Sequence, residues 1–185
     1  GCQRDSATGN ESAEVAETAP LSEHVESHHF VFHFATGDNV SAQDVEELEI
    51  HYAGFVDDFG LQGPETIHYY KYASHVHKEF HTGMSGDGFA DLEARAIHSV
   101  HPNSVHELVH VLAASLGDPV SFLREGLAVA YPGYYSLGYA RFGFGTRDLH
   151  AVWRGWMGGS NAAPLRELLD EDAFWSSKSM TVAYV

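Results

Sequence analysis

The 185-residue sequence predicts an α+β fold, and three observations carry that prediction. Strand-like runs recur at 29–35, 66–72 and 93–100, with a long stretch of helical periodicity between the first two. From residue 104 onward the helical period takes over. The composition, 44% apolar with 12% aromatic residues, is rich enough for a packed core in one domain.

In HFVFHFA (29–35), Phe30, Phe32 and Phe34 alternate with Val31 and His33, the signature of a half-buried strand. In SAQDVEELEIHYAGFVDDFG, Ser41 and Asp44 form a capping box and Val45, Leu48, Tyr52, Phe55 and Phe59 recur at helical spacing. This predicts a helix of about 18 residues closed by Gly60. TIHYYKY (66–72) and EARAIHSV (93–100) read as further strands, separated by the Gly-rich turn TGMSGDG. A helix then carries HELVH, with Pro102 and Asn103 or Ser104 suited to its start and Val105, Leu108, Val109, Leu112 and Leu116 on its apolar face. After the Gly117-Asp118-Pro119 turn, Val120, Leu123, Leu127 and Ala130 mark a second helix with Asp118 as its expected cap.

The charge and the remaining segments bound the function. A formal net charge of −16, with no basic patch, argues against a nucleic-acid partner. No stretch approaches the roughly 18 to 20 consecutive apolar residues that a membrane helix needs. Residues 3–27 hold six acids and one base with no aromatic residue, too little apolar surface to offset ordering entropy, so residues 1–27 are expected to be a mobile acidic tether. Gly1-Cys2 resembles the end of a bacterial lipoprotein signal, which implies a lipid on Cys2 and a place in the cell envelope or outside the cell; a truncation point is the alternative. Membrane contact is expected only through that lipid. The oligomeric state is left open by the sequence. Cys2 is also the sole cysteine, so any metal must be held by His, Asp or Glu.

His106 and His110, in HELVH, stand one helical turn apart and can point at a single ion. Glu107 is rotated by about 100° from His106, out of the ligand shell but within reach of a water on the metal. In a chain with 14 histidines the five letters alone arise by chance about 0.1 times, so they need a third ligand to carry weight. Catalytic zinc takes about three protein ligands and keeps a position for water. Asp118 and Glu125 are the candidates. Glu125 lies mid-helix among apolar neighbours in FLREGLAVAY, next to the small Gly126 and Ala128, whereas Asp118 suits a cap, which favours Glu125.

HELVH, a short turn and REGLA together resemble the gluzincin zinc peptidases, the group that includes thermolysin and the aminopeptidase N-like enzymes, from about residue 88 to 130. The resemblance implies a zincin-like fold. In it a small mixed sheet, with its edge strand over the cleft, packs on the HExxH helix, followed by a glutamate-ligand helix. It implies a domain spanning 28–185 and continuing past it. His106, His110 and Glu125 become Zn²⁺ ligands and Glu107 the general base. EARAIHSV becomes the edge strand on which an extended peptide or protein substrate would pair. Tyr184, 59 residues after Glu125, takes the position of the tyrosine that holds the oxyanion in aminopeptidase N-like enzymes, with Tyr131, Tyr139 and His150 as competitors and core packing as the alternative. The metzincin extension is absent, since Ala113 and Leu116 occupy its positions, and no GxMEN motif is present.

Other residues stay open at this level. His75, His77 and His81 form either a second metal site or, more simply, a polar connection. His98 and His101 either line the cleft or face solvent, Tyr69, Tyr70 and Tyr72 read as strand aromatics, and the Gly- and aromatic-rich stretch 131–148 suits core packing or substrate contact. The expected function is zinc-dependent peptide hydrolysis. The alternative is a metal-binding or protease-like module of the envelope that holds a partner without cleaving it, against which Glu107 argues because such a module needs no base.

Overall fold

A computed structural model of the protein describes residues 17–135 and 165–176. Cys2, Tyr139, His150 and Tyr184 lie outside the described residues, as does most of the expected tether. The chain divides into two compact units, Gly1–Leu112 and Ala113–Val185.

The first unit is built on a five-stranded mixed sheet, so the α+β class holds. The strands are β1 (Glu23–Glu26), β2 (Phe30–Phe34), β3 (Ile67–Lys71), β4 (Gly88–Asp91) and β5 (Ala96–Ser99), in the order β1-β2-β3-β5-β4. The central pairs β2–β3 and β3–β5 are parallel, and both edges are antiparallel. The alternation read in 29–35 is realised: Phe30 and Phe32 are buried, and Phe32, Tyr69 and Ile97 pair across three strands as a buried row. The opposite face is aromatic too. His33, Tyr70, His98 and Phe89 follow one another in register, with consecutive rings stacked at 4.6 to 4.8 Å.

Parallel β2 and β3 need a crossover, and α1 (Ala42–Phe59) supplies it. Its ends are those that the sequence predicts. Ser41 and Asp44 form the capping box, and Gly60 closes the helix in the left-handed region at φ 60°. Leu48, Tyr52 and Phe55 are buried, while Phe59 is largely exposed at the last turn.

Three expectations are corrected in this unit. Glu23–Glu26, in the stretch expected to be a tether, forms β1. Its side chains are all exposed, so backbone pairing with β2 supplies what apolar burial does not. His75–Thr82, read as a connection, is helix α2, capped by Ser74, whose hydroxyl accepts from the His77 N–H. EARAIHSV is not an edge: β5 lies between β3 and β4, and among the described strands the edges are β1 and β4, the latter formed within GDGFAD.

The HELVH helix is α3 (Val105–Ala113), with Val105, Leu108, Val109 and Leu112 buried as predicted. In the second unit a 3₁₀ turn, Ala114–Leu116, ends at Gly117 (φ 119°), and Leu116 is exposed rather than on the apolar face. Helix α4 runs from Ser121 to Tyr135, followed by the short α5 (Leu165–Leu168) and α6 (Glu171–Phe174). Asp118 does not cap α4, because Pro119 and Val120 separate it from the first helical residue. Glu171 does so instead, its carboxylate accepting from the Ser121 N–H at 2.7 Å and the Ser121 hydroxyl at 2.6 Å. The buried face of α4 is Ser121, Glu125, Ala128 and Val129, while Leu123 and Ala130 are exposed.

Candidate metal centre

The start of α3 is fixed from two sides by polar groups inside the first unit. Tyr69, fully buried on β3, donates from its hydroxyl to the His101 carbonyl at 2.7 Å and accepts from the Ser104 N–H at 2.8 Å. Burial pushes the Tyr69 phenol far above its ordinary pKa, so it stays a neutral donor. Asn103 donates from Nδ2 to Glu47 on α1 at 2.6 Å. These bonds hold the backbone one and two residues ahead of Val105, and so fix the first turn that carries His106 and Glu107.

On that helix the i, i+4 spacing brings the Nε2 atoms of His106 and His110 to 3.1 Å, with the rings 4.8 Å apart and nearly perpendicular. Glu125 is buried on α4 with 7% of its surface exposed. His106 and His110 lie in the first unit and Glu125 in the second. Two imidazoles and one carboxylate are a donor set that suits zinc and related divalent transition metals. Asp118, the other candidate, is exposed and pairs with Arg124 at 3.2 Å.

Glu107 abuts edge strand β4. A Cβ built on Gly88 would stand 3.3 Å from Glu107 Cγ, 3.4 Å from its Oε1 and 2.9 Å from the His98 carbonyl oxygen. Only glycine fits that position without a shift. The turn leading into β4 is held by Lys78 of α2, which is wholly buried and donates from Nζ to the Met84 and Ser85 carbonyls at 2.7 and 3.2 Å. Burial lowers the Lys78 pKa, and the negative charges of Glu107, Glu79 and Asp87 oppose that shift without cancelling it. Nothing local sets Gly88 apart from the other glycines of the TGMSGDG turn, and nothing local marks Lys78 or the use made of the Tyr69 hydroxyl.

The remaining histidines take other roles. His77 and His81 both donate to the Ala19 carbonyl, at 2.8 and 3.0 Å, whereas His75 bonds to Asp87 at 2.6 Å, so the three do not converge on one point. His98 is half-buried. It stacks between Tyr70 and Phe89 and bonds through Nδ1 to the Tyr72 hydroxyl at 2.9 Å. His101 is exposed, 3.9 Å from Asp87. The oxyanion assignment to Tyr184, and the competitors Tyr139 and His150, lie outside the described residues; Tyr131 is buried on α4.

No protein-family model matches the chain, and no curated protein matches it.

Proposed function

We propose that the protein is a zinc metallopeptidase with a zincin-like core of the gluzincin type, hydrolysing peptide bonds in a peptide or protein substrate. One observation carries the reading: two histidines one helical turn apart bring their Nε2 atoms to 3.1 Å, with a glutamate beside the first of them.

The donor set fits zinc, and His106, His110 and Glu125 would hold it. When bound, zinc lowers the pKa of a water ligand towards about 7 and polarises a carbonyl oxygen. Glu107 takes the proton of the attacking water and returns it to the leaving amine, the work for which a carboxylate beside the ligand shell is suited. Gly88 leaves Glu107 room to do this, and the Tyr69 and Asn103 bonds keep its backbone in place. An extended substrate would add to the sheet at β4, whose one partner among the described strands is β5.

Incubating the protein with a broad peptide library, with and without a chelator, tests the reading. Cleavage that a chelator abolishes and zinc restores is the expected result. A chelator-resistant cleavage, or a protein that takes up zinc and cuts nothing, would overturn it.

A further inference from the structure

A second convergence of metal-type donors stands where β2 begins, and the zinc peptidase reading makes no use of it. His28 and His29 lie in the bend between β1 and β2. Had the strand continued through them, their side chains would point to opposite faces. The bend turns them to the same side, with ring centroids 4.1 Å apart. Glu49, seven residues into α1, meets them there. Its Oε1 accepts from the His29 N–H at 2.8 Å, and its Oε2 lies 2.7 Å from His29 Nδ1. The His29 ring is braced on its other side by Tyr52, stacked at 3.8 Å. His28 is exposed, and His29 and Glu49 are each about one fifth exposed, so the site is rigid at its base and open to solvent at its mouth.

We propose that His28, His29 and Glu49 form a second, weaker site for a divalent transition metal, with zinc as the first candidate. Each of the three offers one ligand atom within 4.8 Å of the other two. Imidazole nitrogens select zinc, cobalt, nickel or copper over magnesium and calcium, which take all-oxygen shells. The Glu49 carboxylate is held at the site by its contacts with the His29 N–H and Nδ1. The cation would take the place of the proton shared between His29 Nδ1 and Glu49, and would clip the β1–β2 turn to α1.

The proposal is independent of the peptidase reading, and its test separates the two. Zinc uptake by the full-length protein is measured by equilibrium dialysis, alongside H28A and E49Q. His28 is exposed, so H28A leaves the fold intact, and near-UV circular dichroism checks this. Relative to wild type, H28A and E49Q should each bind one zinc equivalent at least about 10-fold more weakly, while the H106A/H110A double variant keeps that equivalent. The thermal midpoint of wild type should rise with zinc over the same concentration range, and that part of the rise should be missing in H28A. Zinc isotherms for H28A and E49Q that superimpose on wild type would overturn the proposal.

Discussion

Gly88 and Glu107 come so close that a single methyl group on the glycine would touch the glutamate side chain at 3.3 Å. The same methyl would meet the His98 carbonyl oxygen at 2.9 Å, and a backbone atom cannot swing aside as a side-chain tip can. Gly88→Ala should therefore push β4 away from β5, displace Glu107, and cost about 1 to 3 kcal/mol, as overpacking does. Urea denaturation and turnover on a cleaved peptide check this together. A G88A protein with wild-type stability and turnover would show that β4 and Glu107 are not packed as described.

Tyr69→Phe removes one hydroxyl from the core. The Ser104 N–H and the His101 carbonyl then lose their shared partner, at a cost of about 1 to 3 kcal/mol for an unsatisfied buried group. Because those groups lead into α3, zinc affinity at His106 and His110 should fall along with the denaturation midpoint. Unchanged stability in Y69F would contradict the role given to this hydroxyl.

The fold should weaken in mild acid. Burial holds His33, His51 and His98 below their ordinary pKa of 6.5, with neighbouring histidines adding to the effect at His33 and Lys78 adding to it at His98, while Glu47 and Asp91 oppose it at His51 and His98. Near pH 6.5 the unfolded chain takes up protons that the folded chain does not, so stability falls as pH drops below about 6.5 and keeps falling until the folded pKa values are reached. Glu49 and Asp87 have lowered pKa values and contribute a separate loss only at more acid pH, below the ordinary carboxylate range. Urea midpoints measured from about pH 7.5 down to 5 should decline, and His33→Gln should shallow the decline. A flat profile would contradict the burial assigned to these rings.

What the sequence disclosed and what it hid divide along locality. Helix α1 was legible to its caps because Ser41, Asp44 and Gly60 act on neighbours a few residues away. Strand β2 and helix α3 were legible because their buried residues repeat at the period of the element. Strand β1 was hidden because an acidic, exposed edge strand has no apolar alternation, and its pairing with β2 is not written in its own residues. Helix α2 was missed because its large apolar residues, Val76 and Phe80, are exposed, while the residues it buries are His77 and Lys78. The place of β5 inside the sheet depends on the parallel pairing of β3 with a strand some thirty residues later, which no local pattern encodes. At the site, the His106–His110 pair follows from helical geometry alone. Glu125 was picked out as a carboxylate among apolar residues, yet the apolar face assigned to its helix was turned away from the one that is buried.

Glu125 and Asp118 separate cleanly by mutation. Glu125→Ala should remove one zinc equivalent relative to wild type, because two imidazoles alone leave the shell short of the about three protein ligands that catalytic zinc takes. Asp118→Ala breaks only an exposed pairing with Arg124 and should leave zinc content unchanged. Elemental analysis of the two dialysed variants decides between them, and zinc loss from D118A with retention in E125A would reverse the assignment.

Glu107→Gln bears most directly on the proposed chemistry, because it keeps the shape of the side chain and removes only its capacity to accept a proton. On any peptide that the wild-type protein cleaves, turnover by E107Q should fall by at least about 10² to 10⁴-fold, the range of general acid–base catalysis, while zinc content measured on the same sample stays at the wild-type value. An E107Q protein that turns over at the wild-type rate with its zinc in place would contradict the assignment of Glu107 as the base.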